Sequence, residues 1–144
     1  MLTDKMTNLH TVALLCANDE ILLARRHNTD FASGLYSMVG GKVEHGKTAR
    51  EAVRCTVQEK TGLDIPEEAF ELVHVFHRDG QGEILVALCF KADITGLKPT
   101  NNEPSKHDDV RFFPITQLPE NIVPAHKQAI DCVLKGIAYS EHGW

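Results

Sequence analysis

Apolar and polar positions along the chain alternate in blocks that mark its elements. Residues 9–17 form a nearly continuous run of Val, Leu and Ala, the pattern of a strand covered on both faces. Asn18-Asp19 is a turn signal, and residues 20–26 return as a second strand. A polar loop over 27–34 leads to a short extended segment at 35–39 that runs into Gly40-Gly41. The period then changes. Thr48 and Glu51 form a Thr-x-x-Glu capping box, and Ala49, Ala52, Val53 and Val57 recur at helical spacing. Gly62 stands where a helix ends most easily, so the spacing predicts a helix over 49–61.

After Pro66, two strand-like runs at 70–78 and 83–92 flank Asp79-Gly80-Gln81-Gly82, a hairpin signal. A polar loop over 95–108 precedes a short strand at 110–113. Pro124 opens a helix over 125–134 and Gly136 closes it. The tail at 137–144 is short and ends in Gly143-Trp144. The order β-β-β-α-β-β-β-α, with hairpins and more strands than helices, predicts an α+β fold: an α/β/α sandwich with a mixed sheet, rather than a doubly wound parallel sheet.

Composition narrows the function. The 144 residues suit a single domain over 1–144, and 42% hydrophobic residues supply a core. A net charge of -5 argues against binding a nucleic-acid polymer, which needs clustered Lys and Arg, but leaves room for a small anion held by a few local cations. Cys16, Cys55, Cys89 and Cys132 form no CxxC pair, which argues against a zinc site and fits a reducing, cytoplasmic setting. The first residues lack the apolar core of a signal peptide, and no apolar run is long enough to span a membrane.

Residues 41–63 carry the chemistry. They read Gly41, five residues, Lys47, seven residues, Cys55-Thr56-Val57-Gln58-Glu59-Lys60-Thr61-Gly62-Leu63. This frame resembles the Nudix box, G-x5-E-x7-R-E-U-x-E-E-x-G-U with U a bulky aliphatic. The Gly-Gly entrance, the strand ending in Arg25-Arg26 and the C-terminal helix resemble the same family over nearly the whole chain. The resemblance implies hydrolysis of a nucleoside diphosphate linked to another moiety, with Mg²⁺ or Mn²⁺ held by glutamates that share one helix face. It also implies a small-molecule nucleotide partner, without nucleic acid or membrane, and leaves a homodimer open.

The carboxylates that this chemistry needs are mostly missing. The three box glutamates correspond to Thr56, Glu59 and Lys60, and only Glu59 is an anion. The first box Glu and the Arg correspond to Lys47 and Cys55, so the orienting pair is lost as a unit. Mg²⁺ needs hard anionic oxygens, so the usual site is expected to bind it weakly. Three readings follow: a hydrolase of weak or altered activity, a silent domain that binds a nucleotide or a partner, and a structural subunit.

The candidate catalytic residues are Glu59, Glu44 and Asp109, with Glu59 and Glu44 as metal ligands. Asp109 belongs to an acidic stretch with Glu103, His107 and Asp108, in a region from which the family often supplies a carboxylate. The plainer explanation for Glu44 and for this stretch is solvation. Arg26, Gly40, Gly41 and Lys60 are the candidate substrate contacts, with Lys60 a built-in cation for phosphate. Alternation along the strand lets only one of Arg25 and Arg26 face a cleft. Phe31, Tyr36 and Phe76 read as core more readily than as stacking platforms, and His74 and His77 as structural or rim residues.

Overall fold

The computed structural model describes residues 6–29, 32–80 and 82–144; Phe31 and Gln81 lie outside the described residues. Its elements, in chain order, are β1 (Thr7–Ala17), β2 (Glu20–Arg26), β3 (Tyr36–Ser37), β4 (Val39–Lys42), α1 (Ala49–Thr61), a 3-10 turn (Glu67–Ala69), β5 (Glu71–Asp79), β6 (Ile84–Asp93), β7 (His107–Pro114), α2 (Pro124–Leu134) and β8 (Tyr139–His142). The expected order holds, with two additions. The extended segment before the glycines divides into β3 and β4, and the tail contributes β8, which pairs in parallel with β5.

The strands form one mixed sheet in the order β3-β2-β1-β6-β5-β8, with β4 also paired to β1 and β7 to β2. On one edge β1 pairs in parallel with β6 from Thr7–Ile84 to Cys16–Asp93. Its other edge is shared. Residues 10–13 pair with β4, and Cys16-Ala17 pair with the start of β2.

This sharing brings the glycine strand close to β1. A Cβ on Gly40 would lie 2.6 Å from the Thr11 carbonyl oxygen and 2.9 Å from Val12 Cγ1, so only glycine fits. β1 alternates between two cores. Val12 and Leu14 face the layer of α2 with Met38, Phe76 and Ile130. Ala13 and Leu15 face the layer of α1 with Val53, Val57 and Phe90. Burial on both faces is why β1 reads as an apolar run rather than as an alternation.

The helix α1 forms where its signals stand. The Thr48 side chain accepts a hydrogen bond from the Glu51 amide, and Ala52, Val53 and Val57 are buried. Gly62 ends the helix at φ 75, with its amide bonded to the Gln58 carbonyl. Among the described residues no helix is long and apolar enough to cross a membrane.

Candidate functional site

A cavity of about 340 Å³ opens where α1, the glycine strand β4, the ends of β2 and β5, and α2 meet over β1. Four residues singled out from the sequence, Arg26, Gly40, Gly41 and Lys60, lie on its wall. β4 places the glycines, and the close approach of its backbone to β1 leaves no room for a side chain at Gly40. Gly41 sits over α1, where its Cβ would stand 3.3 Å from Thr56 Oγ1. Lys60, one turn further along the helix, projects from the same face.

Arg25 and Arg26 diverge, as alternation requires. The Arg25 guanidinium donates to Asp108 at 2.7 Å and lies over the Tyr36 ring, whereas Arg26 lines the cavity. A register irregularity of the β2–β7 ladder falls between them.

The three candidate carboxylates stand elsewhere. Glu44 and Glu59 are exposed, and neither lines the cavity. Asp109 accepts hydrogen bonds from the Tyr36 hydroxyl and the Arg111 guanidinium. Burial alone would raise its pKa; those two donors outweigh burial and hold the carboxyl below its ordinary value. The residue of the acidic stretch that does approach α1 is Glu103, with Oε1 4.0 Å from Lys60 Nζ.

Several cavity residues carried no functional signal in the sequence. Arg78 enters from β5, only 9% exposed. His126 enters from α2, with its Nδ1 accepting the Met38 amide at 3.0 Å. That bond fixes the neutral ring with its proton on Nε2. Thr11 and His10, from β1, present buried polar atoms, Oγ1 and Nε2, that have no hydrogen-bond partner among the described residues. Glu83 is the one carboxylate on the wall among the described residues; it accepts from the Asn8 amide and lies 3.8 Å from His10.

The electrostatics of the cavity are cationic. Burial lowers the Lys60 pKa; Glu103 opposes the shift, and Arg26 and Lys106 add to it. Burial, then Arg78 and Arg26, push the His126 ring down to about 3. Burial, then Lys60, push His107 to about 4.

This donor set does not fit a divalent cation. Among the described residues no group of three or more His, Cys, Asp and Glu side chains is placed to hold one. On the face where the box would supply carboxylates, Thr56 offers a neutral hydroxyl and Lys60 an ammonium directed to Glu103.

A mixed sheet lies between two helices, with the Gly40-Gly41 strand and a capped helix framing a cavity lined by cations. The NUDIX domain family model matches residues 6–132, and the chain belongs to the Nudix family. It is 33% identical over 106 residues to the ADP-ribose pyrophosphatase of Methanocaldococcus jannaschii, a match covering 72% of this chain and 59% of that protein. It is 31% identical over 108 residues to the NAD-capped RNA hydrolase NudC of Stutzerimonas stutzeri, covering 75% of this chain and 37% of that protein. The matches thus span 59% and 37% of the lengths of these relatives, in each case less than two thirds. The crystal structure of a MutT NUDIX hydrolase from Burkholderia pseudomallei superposes with a TM-score of 0.80 at 23% identity, covering 88% of this chain and 98% of that one, and confirms the fold.

Proposed function

We propose that the chain binds a nucleoside diphosphate derivative in the cavity beside Gly40-Gly41 and hydrolyses its pyrophosphate bond weakly. The observation that carries this reading is the convergence of Arg26, Lys60 and Arg78 on one cavity beside Gly40-Gly41, while Glu44, Glu59 and Asp109 stay off its wall. Cations suit the oxygens of a diphosphate, with Arg giving forked donors and Lys a point charge. The ADP-ribose and NAD cap for which these two relatives are named share a diphosphate that joins a nucleoside to a second ribose-bearing moiety, which supports the substrate class. Mg²⁺ or Mn²⁺, drawn by Glu59 and Glu44, is expected to bind weakly, because both carboxylates are exposed and the third and fourth anionic ligands are missing.

A second reading, a nucleotide-binding domain without turnover, is favoured by Lys60 itself, an ammonium where the family's reaction needs a carboxylate. Both readings are tested by screening nucleoside diphosphate derivatives with Mg²⁺ and with Mn²⁺, following product and melting temperature together. Binding to the native state alone stabilises it by about 2.7 kcal/mol at a hundredfold excess of ligand over Kd. Slow turnover with stabilisation supports the first reading, and stabilisation without product the second. Brisk Mg²⁺-dependent turnover indifferent to Glu59→Gln would sink both.

A further inference from the structure

We propose that the cavity takes the metal-free form of the diphosphate, with Lys60, Arg26 and Arg78 doing for its oxygens what a divalent cation does elsewhere in the family. The inference rests on the nucleotide reading above. It starts from charge. Among the described residues, three cations and one carboxylate, Glu83, line the cavity. The cations come from three separate elements, α1, β2 and β5, so the cluster is made by the fold and not by a local run of basic residues.

The Lys60 charge is largely drawn out of water, its side chain being 21% exposed. A charge withdrawn from water needs a close counter-charge and hydrogen bonds. Among the described residues the ion-pair partner of Lys60 is Glu103 at 4.0 Å, beyond hydrogen-bond length, with a weaker attraction from Glu59, and that same Glu103 Oε1 is buried with no hydrogen-bond partner among them. Lys60 and Glu103 therefore attract each other without closing a bond, which leaves the ammonium's protons available to a ligand.

Two further groups point to an oxygen-rich ligand. Thr11 is fully buried and its hydroxyl has no hydrogen-bond partner among the described residues; His10 Nε2 is likewise buried without a hydrogen bond among them, its nearest carboxylate oxygen being Glu83 Oε1 at 3.8 Å; both residues are on the cavity wall. Orphaned buried polar atoms are rare in folded proteins. Here two lie beside three cations. The neighbouring rings respond to the same positive field: Arg78 and Arg26 hold His126 down, and Lys60 holds His107 down, after burial in each case.

A free diphosphate brings negative charge and unshared oxygens into this field. The Mg²⁺ chelate brings two fewer negative charges, and some of its oxygens are already occupied. The sign of the metal effect is therefore reversed relative to a carboxylate-lined site: Mg²⁺ in solution competes with the protein for the ligand.

The test is calorimetric titration of the whole chain with ADP and with inorganic pyrophosphate, in EDTA and in millimolar Mg²⁺. ADP and pyrophosphate are expected to bind in EDTA and to weaken when Mg²⁺ is in excess. Lys60→Gln is expected to weaken binding in EDTA by about tenfold, the usual worth of a hydrogen bond to a charged group, and Lys60→Glu by more. Lys60→Arg is expected to retain it. Melting curves of each variant show that the fold is kept, and Arg26→Gln supplies an independent removal of charge should Lys60→Glu not fold. Binding that appears only with Mg²⁺ would overturn the metal-free inference and leave the nucleotide reading standing, as would Lys60→Gln and Arg26→Gln that bind like the parent. ADP and pyrophosphate that fail to bind under either condition would overturn both.

Discussion

Lys60 illustrates how much a single position decides. It projects from the face of α1 that also carries Thr56 and Glu59, and its ammonium lies 4.0 Å from Glu103. Its place in the box frame was legible in the sequence, but its two neighbours were not. Glu103 arrives from a loop more than forty positions along the chain, and Arg78 from β5. Of the acidic stretch, the sequence reading favoured Asp109; its hydrogen bonds to Tyr36 and Arg111 depend on β7 lying against β2 and β3 against β2, pairings that no local pattern encodes. Thr56→Glu with Lys60→Glu rebuilds the carboxylate face, and Lys47→Glu with Cys55→Arg the orienting pair. The quadruple variant is expected to bind Mg²⁺ more tightly by calorimetry and to turn over a nucleoside diphosphate derivative faster than the parent. In chelator it should melt lower, because glutamates at 56 and 60 stand beside Glu59 and Glu103 with no cation to separate them. A variant with unchanged Mg²⁺ affinity would show that the lost carboxylates are not what sets metal binding.

Among the elements, α1 was the most legible, because its signals are local: a cap at Thr48, a stripe at Ala52, Val53 and Val57, and a left-handed stop at Gly62. Thr48→Ala removes the acceptor of the Glu51 amide and is expected to destabilise by about 1 kcal/mol, several degrees in melting temperature. Gly62→Ala is expected to destabilise at least as much. At φ 75 an L side chain is strained, and the added Cβ would lie 3.0 Å from Thr100 Oγ1. A melting temperature unchanged by Gly62→Ala would mean that the helix end relaxes away from this geometry. β8 was not legible, since Tyr139–His142 shows no apolar periodicity and its ends are fixed from outside. His74, read as structural, is part of that fixing: it is buried, with its ring nitrogens bonded to the Ile137 carbonyl and the Ser140 hydroxyl. Trp144 covers His77 and donates to the His77 carbonyl. The strand exists because β5 and these side chains provide a template for it.

At the scale of the molecule, the buried histidines tie stability to pH. His126 and His107 have folded pKa values of about 3 and about 4, against an ordinary value of 6.5. Between those limits the unfolded chain takes up protons that the folded chain refuses. Stability therefore falls as pH drops below about 6.5, by up to ~1.4 kcal/mol per pH unit for each histidine. Protonating His126 also ends its acceptance of the Met38 amide, which anchors α2 to the segment joining β3 and β4. Urea midpoints are expected to fall steadily from pH 7 to pH 5, and His126→Asn to lessen the slope. Midpoints flat over that range would show that neither ring is held neutral by the fold.

The parallel pairing of β1 with β6 also sets an order in time. During synthesis β1 emerges first, but its longest partner, residues 84–93, follows α1 and β5. At roughly 5–20 residues per second, the apolar stretch from Val12 to Leu15 is left for several seconds with only the tip of β2 and, later, β4 to pair with. The sheet's central strand is thus the first to be made and among the last to be completed, and during that interval the nascent chain depends on whatever shields its exposed edge.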